Sequence, residues 1–314
     1  MKVLFVAGAG RSGTTVLDML LGGLPGFHSA GEIRQIWARG FMANERCSCG
    51  SAFADCDFWS TVAERAFGGV EAAPAARLRQ IQRRIDHVWD IPLVRRTRPP
   101  GAFGRDLAEY REGLVALYGA AGQVADGIVV DSSKAASHAF ILAGVPEIEV
   151  RVLHLVRDAR AVAHSWTRVR DRPEAPGARM PRMGAPGTAA EWWSVNLSAE
   201  WLGRAGFPYA RVRYEDLVRR PEEAVDDALA RIGWRFVGGL PAASLGAVPE
   251  GARHLVSGNP VRFEPGPVVL RPDVEWEDRA DRWRTIAVTS LTWPLLLRYG
   301  YALRAGGVER PRKG

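Results

Sequence analysis

The chain has 314 residues, enough for one large α/β domain with insertions or for two smaller domains, and it can bury a substantial core. Hydrophobic residues at 47% and charged residues at 25% are ordinary globular values, and no stretch approaches the roughly 20 continuous apolar residues that span a bilayer. The 42 Lys and Arg against 35 Asp and Glu leave a net charge of +7, which favours an anionic partner, but the excess forms no long basic tract, so nucleic acid is not expected.

The first run, "KVLFVA", reads as a strand. It is too short for the hydrophobic region of a signal peptide and glycines interrupt it at once, so a soluble, cytoplasmic protein without stable membrane insertion is expected. The stretch that follows, "AGAGRSGTTVLDMLL" at residues 7–21, has Gly8 and Gly13 at the spacing of the phosphate-binding loop G-x-x-x-x-G-K-[ST], but Thr14 stands in the lysine position and Arg11 sits inside the loop. Backbone N–H groups and a helix N-terminus bind an anion without further help. Without the lysine that reaches the terminal phosphate of a nucleoside triphosphate, Arg11, Thr14 and Thr15 would surround a smaller anionic group.

Next comes "HSAGEIRQIW", where Glu32 supplies a carboxylate as the chain returns to the edge of a sheet. Nearby His28 is a second group able to take up a proton, expected instead to pack or hydrogen-bond at a strand end. All three cysteines fall in "CSCGSAFADC", as Cys47, Cys49 and Cys56. A C-x-C followed by six residues and a Cys is not a standard zinc-ribbon spacing, so free thiols are expected over a disulfide or a metal, and no metal site is assigned. Residues 75–118 carry apolar positions at three- and four-residue intervals and predict amphipathic helices, a helical insertion over residues 70–120 within a single domain spanning 1–314.

"GIVVDSSK" predicts a second strand ending at Lys134, and "EVRVLHLVRD" a third that runs into "ARAVAHSW". Asp158 is placed to cap the helix, and Arg157 with Ser165 can form a second anion site. Residues 171–187, rich in Pro and Gly, predict a mobile loop or lid before a helix resumes at "TAAEWW". "YARVRYEDL" gives a fourth strand, and the last helix contains Pro294. Trp37, Trp59, Trp89, Trp192 and Trp193 fall in segments suited to a ligand cleft, although Trp at helical spacing is more often core. Strands alternating with helices predict a three-layer α/β fold around a mostly parallel sheet, with ligands at the carboxyl ends of the strands.

"GRSGTTVLDMLL", "RDARAVAHSW" and "VRYEDLVRRPEEAV", in this order, resemble the sulfotransferases that use 3′-phosphoadenosine-5′-phosphosulfate (PAPS), with bacterial branches the nearest in pattern. The resemblance implies a P-loop-like fold in which Arg11, Ser12, Gly13, Thr14 and Thr15 bind the 5′-phosphosulfate, Arg157 and Ser165 the 3′-phosphate, and Tyr214 lies beside the nucleotide. It likens "HLVSGNPVRFEPG" to a nucleotide-closing loop, placing Ser257, Gly258, Asn259 and Arg262 near the 3′-phosphate or the bridging oxygen. It makes Glu32 the base, by the likeness of "GEIR" to the G-E-x-x-R motif of the tyrosylprotein branch, although Arg34 comes one residue early, and sets Lys134, Arg11 and Ser257 on the leaving group. The implied reaction is in-line transfer of a sulfo group to a hydroxyl of a small-molecule, glycan or lipid-like acceptor, releasing 3′,5′-bisphosphoadenosine and requiring no metal. Two other readings remain open at this point: a P-loop kinase or NTPase with an atypical loop and Asp131 holding Mg²⁺, and a non-catalytic nucleotide-binding homologue.

Overall fold

Residues of the first strand alternate strictly between two apolar layers. Val3, Phe5 and Ala7 pack into one cluster, and Leu4 and Val6 into another on the opposite face. Such a strand is buried on both sides, the mark of a sheet covered by helices in two layers. The computed structural model describes residues 1–175, 177–235, 253–264, 266, 270 and 275–303. Six strands pair in the order β5-β4-β1-β3-β2-β6, every pair parallel.

The chain runs β1 (Lys2–Ala7), α1 (Thr14–Leu21), β2 (Phe27–Gly31), a 3₁₀ turn at Ile33–Gln35 and a π-helical turn at Ile36–Met42. It continues through α2 (Asp57–Phe67), α3 (Ala75–Ile85), α4 (Ile91–Val94) and α5 (Gly101–Ala125) before returning to β3 (Ile128–Lys134). Then follow α6 (Ala136–Ala143), β4 (Glu149–Val156), α7 (Ala159–Thr167), α8 (Ala185–Arg204), β5 (Tyr209–Arg213), α9 (Tyr214–Arg219) and α10 (Pro221–Arg231). The last described elements are β6 (Arg253–Val256), a 3₁₀ turn at Pro260–Phe263, α11 (Glu275–Arg279) and α12 (Arg282–Arg298). The expected three-layer α/β architecture is present, and its parallel sheet contains two strands, β2 and β6, beyond the four apolar runs.

Helix α8 begins at Ala185, with Pro186 in its first turn, where a missing N–H costs nothing. It therefore takes the last three residues of the 171–187 segment. Helix α12 runs from Arg282 through Pro294. Among the described residues, no helix is long and apolar enough to cross a membrane.

Between β1 and β4 the strand order reverses, because the chain first builds β2 and β3 on one side and then β4 and β5 on the other. Crevices at the carboxyl ends of strands at such a reversal are where open α/β sheets place ligands.

Beneath this crevice, fully buried Asp18 on α1 ties the helix to two strands, accepting hydrogen bonds from Ser29 Oγ at 2.5 Å and Ser132 Oγ at 2.6 Å. Burial pushes its pKa up to about 7 against the pull of those two hydroxyls. The folded chain thus holds this proton more tightly than the unfolded chain, whose Asp titrates near pH ~3.9. The group's contribution to stability is complete below that value and is lost as the pH rises through about 7. Asp18→Asn keeps a polar partner for the hydroxyls but does not titrate. Relative to the variant, the native chain should lose about 2 kcal/mol between pH ~5 and pH ~7.5 in denaturant unfolding, and parallel stability curves would refute this account.

Candidate active site

All six strand ends open on one cavity of about 430 Å³. The turn after β1 contributes Gly10, Arg11, Gly13, Thr14 and Thr15. Glu32 follows β2, Lys134 ends β3, Arg157 follows β4, Tyr214 follows β5, and Ser257, Gly258 and Asn259 follow β6. Helix α7 adds Ser165 and Trp166. The basic side chains lining the cavity are Arg11, Arg39, Lys134, Arg157, Arg168 and Arg170, against the carboxylates of Glu32 and Glu191, so the space favours an anion.

The β1–α1 turn is held from three sides. Gly10 N donates to Glu191 Oε1 of α8 at 2.8 Å, and Ser12 N donates to Ala9 O at 3.1 Å. Gly13 has φ +94°, and a Cβ there would lie 2.8 Å from the Tyr214 ring, so both conformation and contact require glycine. Thr15 Oγ1 accepts from Asn259 N at 3.1 Å, joining this turn to the one after β6. Arg11 rests on the Trp166 ring, 4.8 Å from its centroid, and its two terminal nitrogens are buried without a hydrogen-bond acceptor among the described residues. Burial, reinforced by Arg170, pushes the Arg11 pKa down, with Glu32 opposing. An anion in the turn is the group that would stabilise this cation.

Arg157 donates from Nη1 to Arg11 O at 3.0 Å and stacks on the Tyr214 ring at 4.4 Å. Asp158 caps α7, its carboxylate accepting from Arg160 N at 2.8 Å, which presents Ser165 on the same helix to the cavity. The two expected anion subsites thus adjoin each other across the β1–β4 crevice.

At the opposite wall, the Glu32 carboxylate accepts hydrogen bonds from Lys134 Nζ and, at 3.3 Å, from Ser257 Oγ. Burial raises the Glu32 pKa, but Lys134, with Arg39 and Arg262, outweighs it and holds the carboxyl below its usual range. Arg11, Lys134 and Ser257 have φ of +67°, +69° and +62°, the left-handed region that non-glycine residues seldom occupy. Only Asn44 and Asp126 share this feature among the other described non-glycine residues. Backbone strain therefore concentrates on the cavity, as it does where geometry serves chemistry.

Arg262 and Ser12 do not line the cavity. Arg262 is buried beneath the turn after β6, where Nη1 donates to Gly258 O at 3.0 Å and Nη2 lies 3.4 Å from Glu174 Oε1. It supports the closing turn from behind the cavity wall. Glu174, buried in the 171–184 segment, also pairs with Arg172 at 3.2 Å and Arg39 at 3.7 Å. Burial raises its pKa, but Arg262 and Arg172 bring it below the usual carboxylate range. A charged carboxylate thus anchors this segment, and its Met180 and Met183 form part of the cavity wall.

Several residues of the wall escaped the sequence reading: Arg39, Trp166, Arg168, Arg170, Met180, Met183 and Glu191. Trp166 immediately follows Ser165 in the quoted motif and was the one within reach. None of the five tryptophans suited to a ligand cleft lines the cavity: Trp37, Trp59 and Trp192 are core, Trp89 is exposed, and Trp193 Nε1 donates to Leu291 O at 2.8 Å. His28 stacks on Phe58 at 4.1 Å, away from the wall. Asp131 is fully buried and accepts from Tyr118 OH at 2.6 Å, Ser133 N at 2.9 Å and Ile33 N at 3.3 Å, with Ser133 Oγ a further donor. With its lone pairs engaged below the cavity floor, it is not placed as a Mg²⁺ ligand for a nucleoside triphosphate.

The sulfotransferase family model matches residues 4–237 of this chain. Among solved structures, the chain is similar to the sulfotransferase domain of the olefin synthase from Synechococcus PCC 7002, at 21% identity and a TM-score of 0.50, covering 97% of this chain and 96% of that one. It is also similar to the sulfotransferase domain from the curacin biosynthetic pathway, at 15% identity and a TM-score of 0.50, covering 96% and 99%. No curated protein matches the chain significantly. The two structures share its fold.

Backbone strain at Ser257 makes a direct test possible. Ser257→Gly should relax the left-handed residue at the loss of one 3.3 Å hydrogen bond and raise stability by about 1 kcal/mol. For a domain of this size that is a Tm increase of roughly 1–2 °C in calorimetry. An unchanged or lower Tm would show that the turn is not strained there.

Proposed function

This chain belongs to the sulfotransferase family, and we propose that it transfers the sulfo group of PAPS to a hydroxyl of a small-molecule acceptor. The observation that carries the reading is the buried Arg11 guanidinium, whose two terminal nitrogens have no acceptor among the described residues, in the cavity that the Glu32–Lys134 pair also lines. The turn and Arg11 suit the 5′-phosphosulfate, and Arg157 with Ser165 suits the 3′-phosphate, since a guanidinium and a hydroxyl together match phosphate geometry. The donor, when bound, supplies a sulfur whose bond to a phosphate oxygen breaks as the acceptor oxygen attacks in line.

Each role follows from position and charge. Glu32, ionised at neutral pH, accepts the proton of the acceptor hydroxyl. Lys134 donates to the oxygen that leaves with the bisphosphate, where negative charge grows, and Arg11 meets the same charge. Lys134 also sets the timing. While it donates to Glu32 it depresses the carboxylate's proton affinity; once it turns to the leaving oxygen, Glu32 becomes the stronger base at the step that needs one. Ser257 remains a donor to either partner. Met180, Met183 and Val261 give the acceptor side an apolar wall, suited to an alcohol or phenol carried on an apolar frame.

Incubation with labelled PAPS and a metabolite library, read by mass spectrometry, should reveal a product heavier by one sulfo group, with no dependence on added Mg²⁺. Glu32→Gln should lower kcat by about 10²–10⁴-fold while leaving affinity for 3′,5′-bisphosphoadenosine nearly unchanged. Arg157→Ala should weaken that affinity by about 10–100-fold in calorimetry, the range for losing hydrogen bonds to a charged group. Folded protein that takes up no bisphosphate would end the proposal.

A further inference from the structure

Cys47, Cys49 and Cys56 meet a fourth side chain that their spacing cannot announce. His254, on β6, lies 198 positions from Cys56 in sequence, and its Nδ1 is 3.1 Å from Cys56 Sγ and 3.9 Å from Cys47 Sγ. Cys49 Sγ is 3.7 Å from Cys56 Sγ, and the three sulfurs and the nitrogen all lie within 4.8 Å of one another. We propose that these four residues bind a structural zinc ion. The inference goes beyond sulfo transfer and uses none of the roles assigned to the cavity; no one of the four residues lines that cavity.

Three of the six separations compare directly with the edges of a tetrahedron, and the others stay within 4.8 Å, close enough for small side-chain movements to close around an ion. With Zn–S near 2.3 Å and Zn–N near 2.0–2.1 Å, its edges are about 3.8 Å between sulfurs and about 3.6 Å between sulfur and nitrogen. The observed sulfur–sulfur separation of 3.7 Å agrees, and the two sulfur–nitrogen separations, 3.1 and 3.9 Å, bracket the second value. A disulfide needs its sulfurs at about 2.05 Å, and the three cysteines are free. A donor set of three soft thiolates and an imidazole in this arrangement selects zinc among the common divalent ions, and four protein ligands leave no open position for substrate.

The surroundings orient the donors. A tight turn closes Cys47–Ser51, with Cys47 N donating to Ser51 O at 2.9 Å and Gly50 N to Cys47 O at 3.0 Å. Backbone amides of Cys49, Ser51 and Trp59 face the sulfurs of Cys47, Cys49 and Cys56 respectively, the support that bound thiolates need. The His254 ring is fixed by stacking on Phe58 at 5.1 Å, and its carbonyl accepts from Trp59 Nε1 at 2.6 Å. Ser48 Oγ donates to Arg253 O at 2.9 Å and accepts from Leu255 N at 2.8 Å, stitching the turn to β6. The ion would pin an edge strand only three residues before Ser257.

The full chain, purified without chelator or added metal, should carry one zinc per chain by plasma mass spectrometry, and Cys56→Ser should lower that about tenfold. If the variant does not fold, the wild-type chain refolded with Co²⁺ decides the matter: the intense visible absorption of a tetrahedral, thiolate-rich site supports the proposal. Zinc release by an organomercurial should speed hydrogen exchange over residues 253–263 before it affects β1 or β4. A chain that carries almost no zinc and gives no such cobalt spectrum overturns the proposal, as does a native mass two hydrogens short, which marks a disulfide.

Discussion

Glu32 joins the ends of three neighbouring parallel strands, and the arrangement of the cavity depends on that joint. Its backbone N–H donates to Val256 O at 2.8 Å, continuing the β2–β6 pairing, while its carboxylate takes hydrogen bonds from Lys134 at the end of β3 and Ser257 beyond β6. Lys134 and Ser257 both hold left-handed backbones, which cost about 1–2 kcal/mol each for residues with a Cβ. A partly buried ion pair and a hydrogen bond offset part of that cost, so the strain persists because the side chains that relieve it also face the cavity. The same groups are thereby fixed at the cavity wall by one another.

Electrostatics divides the cations of this region into two sets. Arg39, Arg172 and Arg262 converge on Glu174 and Glu45, an ionic network that fastens the 171–184 segment and the closing turn to the π-helical turn. Arg11 is the contrasting case, buried against Trp166 with no acceptor for its terminal nitrogens among the described residues. Buried ion pairs lose much of their attraction to desolvation and are better evidence for fixed geometry than for stability. The Glu174 network accordingly ties Arg172 and Glu174, in a stretch rich in Pro and Gly, to the π-helical turn and the turn after β6. Arg262, itself buried, pairs with Glu174 as an ion pair at 3.4 Å and with the Gly258 carbonyl by hydrogen bond.

What the sequence revealed follows from how local each feature is. Four strands were legible because β-branched runs such as "GIVVD" and "RVLHLV" carry their own signal, whereas β2, "FHSAG", and β6, "RHLV", are short, weakly β-forming and identified only by their neighbours in the sheet. The β1–α1 turn could be read because its glycines, Arg11 and the helix start lie within a few residues. Arg157 and Ser165 could be read because they share one strand end and the helix it enters. Arg39, Arg170 and Glu191 reach the cavity from a π-helical turn, a loop and the middle of α8, positions that tertiary packing sets and no spacing rule encodes. The tryptophans misled for the same reason: helical spacing places them on an apolar face, and the core claimed Trp37, Trp59 and Trp192.

The cysteines expose that limit from the other side, since a C-x-C with a distant third Cys has no reading until β6 brings His254 to it. A strand of four residues at the edge of a sheet, paired on one side only to β2, has little hydrogen bonding of its own to keep it in register. It nonetheless delivers Ser257, Gly258 and Asn259 to the cavity, and both pairings of β2 shift register between Ser29 and Gly31, just before Glu32. Precision at the joint must therefore come from outside the sheet. The Cys47–Ser51 turn and the Trp59 indole are the contacts positioned to supply it, since they hold the backbone of Arg253, His254 and Leu255 directly.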